Sequence, residues 1–253
     1  MLKQIGHELR HHAPFTLAGA VIGILLMVAL FSVYKPGEAH EADHEHDGEH
    51  VEEARHEHEG EHEHHHELSG IAGIAFEAAH TAHVFLSAMV TAGLYRLKTR
   101  KSWWYAVPIG VVGAIGIATL SDSLIPYLGE VLHDLPDPHL HAGFIESWHL
   151  VFPAAIAGSV VVLAWPNTTF PHAGHVLLST AASLAHMMMS LDGPVGFWLA
   201  LQLGVFLFLA VWVPCCTSDI VFPLLFAGKE GLKEHVYRHE DADGEGADDK
   251  TLA

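Results

Sequence analysis

Apolar residues gather into six stretches of about 20 residues, each long enough to cross the hydrocarbon core of a bilayer as a helix. They run from Pro14 to Tyr34, Gly70 to Leu94, Trp103 to Tyr127, Leu150 to Trp165, His172 to Ser190, and Val195 to Trp212. A shorter apolar piece, Ile220 to Ala227, follows Pro214 and cannot span alone. Proline lacks an amide donor and clashes with the preceding turn, so the last span is predicted to break at Pro214. The first stretch lacks a small-residue cleavage site and is longer than a signal core, so it reads as a span. The pattern predicts an all-α polytopic membrane protein with about six transmembrane helices and a proline-broken last helix.

Two spans carry polar residues at helical spacing. In the second, Glu77, His80, His83, Ser87 and Thr91 fall within an arc of about 120°. In the fifth, His172, His175, Ser179, Ser183, His186 and Ser190 fall within about 80°. Serine on such a stripe also serves helix packing. Ionisable groups at membrane depth are costly and usually face a bundle interior or watery cavity. Met187, Met188 and Met189 point in three directions on one turn, which suits packing.

Charge changes the picture. Half of the residues are apolar, yet the formal net charge is −18. That combination suits a membrane bundle with acidic extramembrane parts. Glu38 to Glu67 holds ten histidines and thirteen carboxylates, and eight more acids lie between Glu230 and Asp249. Both runs are too polar to bury a core and are expected to be disordered without metal. Basic residues are too few for a nucleic-acid footprint. The two cysteines, Cys215 and Cys216, are neighbours and offer no disulfide framework.

Arginine and lysine orient the bundle. Ten of the twelve lie before span one, between spans two and three, or after span six; only Lys35 and Arg55 lie in the alternate loops. Positive charge stays cytoplasmic, which predicts both termini inside and the histidine run outside. Trp103, Trp104, Tyr127, Trp148 and Trp165 fall where interfacial anchors belong. The expected organisation is an N-terminus with its span (1–34), an extracytoplasmic histidine- and acid-rich loop (35–69), a five-span bundle (70–228) and an acidic cytoplasmic tail (229–253).

Imidazole with carboxylate is the ligand set of borderline divalent cations. Depth along each span, at 1.5 Å per residue, sorts the candidates into two clusters. The outer one is Glu77, His80, His83, Asp122 and His186; the inner one is His172, His175, Cys215, Cys216 and Asp219. The pairs His80/His83 and His172/His175 each set two imidazoles on one helix face. Neighbouring cysteines chelate one ion poorly together, so Cys215 is taken as the ligand. Freed carbonyls beside the Pro214 break would add to the inner site. The outer loop Gly129 to His149 is also metal-suited, with His133, Asp134, Asp137, His139, His141 and Glu146.

Several of these segments resemble a prokaryotic family described as heavy-metal exporters. The matching blocks are His7-Glu-Leu-Arg-His-His-Ala-Pro-Phe15, His80-Thr-Ala-His-Val-Phe-Leu-Ser-Ala88, Ile117-Ala-Thr-Leu-Ser-Asp-Ser-Leu-Ile-Pro126, Gly174-His-Val-Leu-Leu-Ser-Thr180 and Val213-Pro-Cys-Cys-Thr-Ser-Asp-Ile-Val221. The family is often described with ten transmembrane helices, against six here, and the histidine run looks like an insertion. The resemblance implies membrane transport of metal without fixing substrate or direction.

The expected function is therefore transport of a divalent cation (zinc, nickel, cobalt or manganese) through histidine and carboxylate sites, with the external loop as a capture segment. The partners expected are the lipid bilayer and the metal ion, with a homo-oligomer left open and no nucleic acid. No enzyme is expected. Two other classes stand beside this reading: a metal-sensing or metal-buffering membrane protein, and an intramembrane metal-dependent hydrolase. The hydrolase lacks H-E-x-x-H or any comparable motif.

Overall fold

A computed structural model describes residues 2–33, 56–98, 103–165, 169–191, 193 and 195–215. Within them the chain is all-helical. Helix α1 spans Leu2–Val33 and α2 spans His56–Lys98. After a 3₁₀ turn, Trp103–Tyr105, helix α3 covers Ala106–Ala118. It passes through a wide turn, Thr119–Leu124, into α4, Ile125–Leu132. A short α5, Gly143–Glu146, precedes α6, Trp148–Ala164, and α7, Thr169–Met189. The last described helix, α8, is Phe197–Cys215.

These helices coincide with the six predicted spans. Four stretches are long and apolar enough to cross a membrane: Ala13–Phe31, Ser69–Leu97, Ala106–Leu132 and Phe197–Cys215. Helix α6 is apolar but shorter, and α7 is diluted by its own histidines and serines. Helix α8 continues one residue past Pro214; the predicted break, and the tail, lie outside the described residues.

The arrangement is inverted relative to a water-soluble globule. Large apolar side chains look outward from α1 and α8, with Ile22 65%, Phe197 74% and Trp198 73% exposed. Histidines, serines and carboxylates are buried instead. Helix α7 explains this: it packs on α1, α2 and α4, and nearly every residue from Val176 to Met188 is buried. Its apolar neighbours Leu184 and Met187 join Met27 and Phe31 of α1 and Leu203 and Leu207 of α8 in one core. Helix α2 packs on α3, α6 and α7. Small residues let these backbones approach: a β-carbon on Gly158 of α6 would collide with the Phe85 carbonyl oxygen of α2.

Two expectations change here. The histidine run was expected to lack regular structure throughout, but His56 to Glu67 continue α2 toward its N-terminus. Glutamate is a strong helix former, no proline intervenes, and extending an existing helix avoids a new nucleus. The helix of span three was expected to end near Tyr127, but α4 continues to Leu132. Its end is set by a Schellman motif: Asp134 takes the left-handed conformation (φ 49°), Leu135 N–H donates to the Glu130 carbonyl at 3.0 Å, and Asp134 N–H reaches Val131. Asp134 fills the place usually taken by glycine. This brings Glu130, expected in a loop, into the bundle at 0% exposure.

The wide turn has a chemical cause. Ile125 N–H donates to the Leu120 carbonyl, five residues back rather than four. Pro126 has no N–H to continue that pattern, which leaves the Ser121 carbonyl needing another donor. Ser183 of α7 supplies one: its hydroxyl lies 2.9 Å from that oxygen and 2.8 Å from the Ser179 carbonyl.

Candidate functional site

Asp122 sits in the wide turn, fully buried, and four donors converge on its carboxylate. His80 Nδ1 and His83 Nδ1 lie 2.9 and 2.7 Å from Oδ2. The hydroxyls of Ser121 and Ser179 donate to Oδ1 at 2.6 and 2.7 Å. An ionised carboxylate accepts about four hydrogen bonds and donates none. Both imidazoles therefore carry their proton on Nδ1, and the carboxylate has no remaining lone-pair direction for a metal. Asp122, expected as a ligand, acts in this arrangement as the group that orients two histidines.

His80 and His83 are one helical turn apart on α2, which is why both reach one carboxylate. His80 stacks on Phe76, ring centroids 5.3 Å apart. Its other flank is closed by Gly143 at the start of α5, where a β-carbon would stand 2.5 Å from the imidazole Cδ2. His83 stacks on His175 of α7 at 5.8 Å with the planes 12° apart. Its Nε2 lies 4.0 Å from Cys215 Sγ of α8, and that sulfur lies 3.6 Å from Ser179 Oγ.

The structure thus merges the two expected clusters in part. His83, expected in the outer one, touches His175 and Cys215, expected in the inner one. His83 is the middle residue of the apolar stretch Ser69–Leu97, and Asp122 lies just past the middle of Ala106–Leu132. Placing Asp122 at an outer end followed from ending its helix five residues too early.

Two other candidates are engaged elsewhere. His186 donates from Nδ1 to Glu130 Oε1 at 2.6 Å, and its Nε2 accepts the His141 backbone N–H at 3.3 Å. Both ring nitrogens are occupied, so His186 fastens the outer connection to α7 and α4. Glu77 accepts from Ser147 Oγ at 2.6 Å, beside a groove of about 550 Å³ lined by α2 and α6 residues such as Phe85 and Leu150. The side chain of His172 and residues Cys216 and Asp219 lie outside what is described.

In the outer connection, His141 Nδ1 pairs with Glu146 Oε2 at 2.9 Å, His139 folds onto Asp137, and His133 donates to the Gly129 carbonyl. These are local contacts at a surface, not a shared centre. Among the described residues no group of three or more histidine, cysteine or acidic side chains is gathered as a ready metal-ligand set. What the geometry presents is a buried line of hydrogen-bonded groups: Glu130 and His186 toward one end, then His80, Asp122 and His83, then His175 and Cys215.

Sequence reading missed Glu130, Ser121 and Ser147. The spacing of Asp122, Pro126 and Glu130 by four residues each carried the signal for Glu130, since such positions share a helix face. Comparison with protein-family models, with curated proteins and with solved structures found no match to this chain.

Proposed function

We propose that this chain is a multi-pass membrane transporter of divalent heavy-metal cations, the metal being its substrate. One observation carries the reading: fully buried imidazoles, carboxylates and a thiol on α2, the wide turn, α4, α7 and α8 lie in one line through an otherwise apolar bundle. Ionisable groups inside membrane proteins are rare because they are costly there, and those that persist mark ion paths or relays. A protein that merely captured metal outside would have no use for groups buried at mid-span.

The remaining parts take roles around that path. Ten of twelve basic residues place the termini and the 96–101 connection on the cytoplasmic side, with the histidine run outside. The run between 35 and 69 concentrates cations, the bundle from 70 to 228 moves them, and the tail from 229 to 253 is cytoplasmic. The resemblance to heavy-metal exporters supports the same substrate class.

The test is flux. Purified protein in proteoliposomes, with a metal-sensitive dye trapped inside, is compared with empty vesicles for Zn²⁺, Ni²⁺, Co²⁺ and Mn²⁺ in both directions. Saturable flux of at least one ion, reduced in Asp122→Ala, is expected. No protein-dependent flux of any ion in either direction overturns the proposal.

A further inference from the structure

His83 and Cys215 come from helices far apart in sequence, yet the imidazole Nε2 faces the sulfur at 4.0 Å with both residues buried. The nitrogen that faces sulfur is the one left with a lone pair, because Nδ1 is committed to Asp122 at 2.7 Å. A carboxylate on one imidazole nitrogen and a metal on the other is the usual way a histidine ligand is oriented and made more basic. Nitrogen and sulfur ligands of one tetrahedral zinc ion, bonded at about 2.1 and 2.3 Å, stand about 3.6 Å apart. The observed separation needs only a few tenths of an ångström of closure.

We infer that His83 Nε2 and Cys215 Sγ are the ion-binding pair of the path, with His175 as third donor, and that they select borderline-soft divalent cations (Zn²⁺, Cd²⁺, Co²⁺) over Mn²⁺ and Mg²⁺. This deepens the transport reading and rests on it for the claim that the bound ion moves; the binding site itself stands on geometry. His175 is buried and lies parallel to His83 at 5.8 Å, so a change of its side-chain torsions brings a second imidazole to the same ion. Thiolate and imidazole favour softer cations, whereas manganese and magnesium favour oxygen. Asp122 is a positioning residue here. The three donors sit on α2, α7 and α8, so loading draws those helices together and release requires them to part. Two preset donors with a movable third also suit an ion that must leave again.

Cobalt distinguishes this site from the histidine run, because only a thiolate gives an intense sulfur-to-cobalt charge-transfer absorption. Full-length protein in detergent is titrated with Co²⁺, alongside Cys215→Ser, Cys216→Ser and His83→Ala variants checked for monodispersity. The expected result is a charge-transfer band in the wild type and in Cys216→Ser, absent in Cys215→Ser, and displaced by Zn²⁺. His83→Ala should weaken cobalt binding at this band by about tenfold or more. In vesicles, the preference for Cd²⁺ over Mn²⁺ should fall by about tenfold in Cys215→Ser. No band in the wild type, or a band that survives Cys215→Ser, overturns the site. Flux without the band leaves transport standing and refutes this site; the band without flux does the reverse.

Discussion

Glu130 of α4 and His186 of α7 form a fully buried pair, Oε1 to Nδ1 at 2.6 Å, and the far side of that imidazole holds the His141 backbone N–H. Removing the carboxylate strands a donor in packed surroundings. Glu130→Ala is expected to cost roughly 1–3 kcal/mol, and Glu130→Gln less because its amide oxygen still accepts. Thermal unfolding of the detergent-solubilised protein measures both. With His186→Ala added, the losses should be non-additive, since one contact is removed twice.

Asp122→Asn keeps shape but places an NH₂ group against imidazole and hydroxyl donors. Flux should fall about ten- to a hundredfold, the usual effect of losing a group that orients ligands, while the protein still elutes as one species. Wild-type flux in this variant would remove Asp122 from the mechanism.

Gly143→Ala tests the same imidazoles from the other side. The added methyl pushes on the His80 ring, 2.5 Å from its Cδ2, at an otherwise polar connection. Flux should drop with little change in melting temperature. A large drop in stability with unchanged flux per folded molecule would count against a role for His80.

Gly158→Ala probes the bundle alone. Its methyl meets the Phe85 carbonyl, part of the α2 backbone and unable to rotate away. Overpacking of about 1–3 kcal/mol is expected, seen as a lower unfolding temperature.

Deleting Glu38 to Glu67 should reduce transport when metal is scarce and preserve it when metal is abundant. In the intact protein, Zn²⁺ or Ni²⁺ capture by this run should weaken as pH falls through the histidine range near about 6.5, where imidazoles protonate. Loss of transport at every metal concentration would make the run part of the path itself.

Much of this arrangement was legible in the chain. The period of α7 marked His175, Ser179, Ser183, His186 and Ser190 as one face, and all five are buried. His80, His83, Ser87 and Thr91 did the same for α2. A helical period is a property of one element, so it is written in one segment. How two helices stand in depth relative to each other is not. Counting residues from span ends separated His83 from His175, which in fact stack. Glu130 was hidden for a related reason: Pro126 looked like an end, whereas the wide turn before it and the hydroxyl of Ser183 let the helix carry on.

That wide turn also sets the phase of everything beyond it. In uniform α geometry, positions eight apart, such as Asp122 and Glu130, would diverge by about 80° around the axis. A turn closing on the fifth residue takes back part of that rotation, so both carboxylates address α7, one at Ser179 and the other at His186. Residue number is therefore constrained where residue type is not. Leu120, 41% exposed, is open to exchange for another apolar side chain, but its deletion would straighten the helix and swing one half by about 100°. Either Asp122 or Glu130 would then lose its partner on α7. In this segment the chain is held to a count of residues, much as a screw is held to its thread.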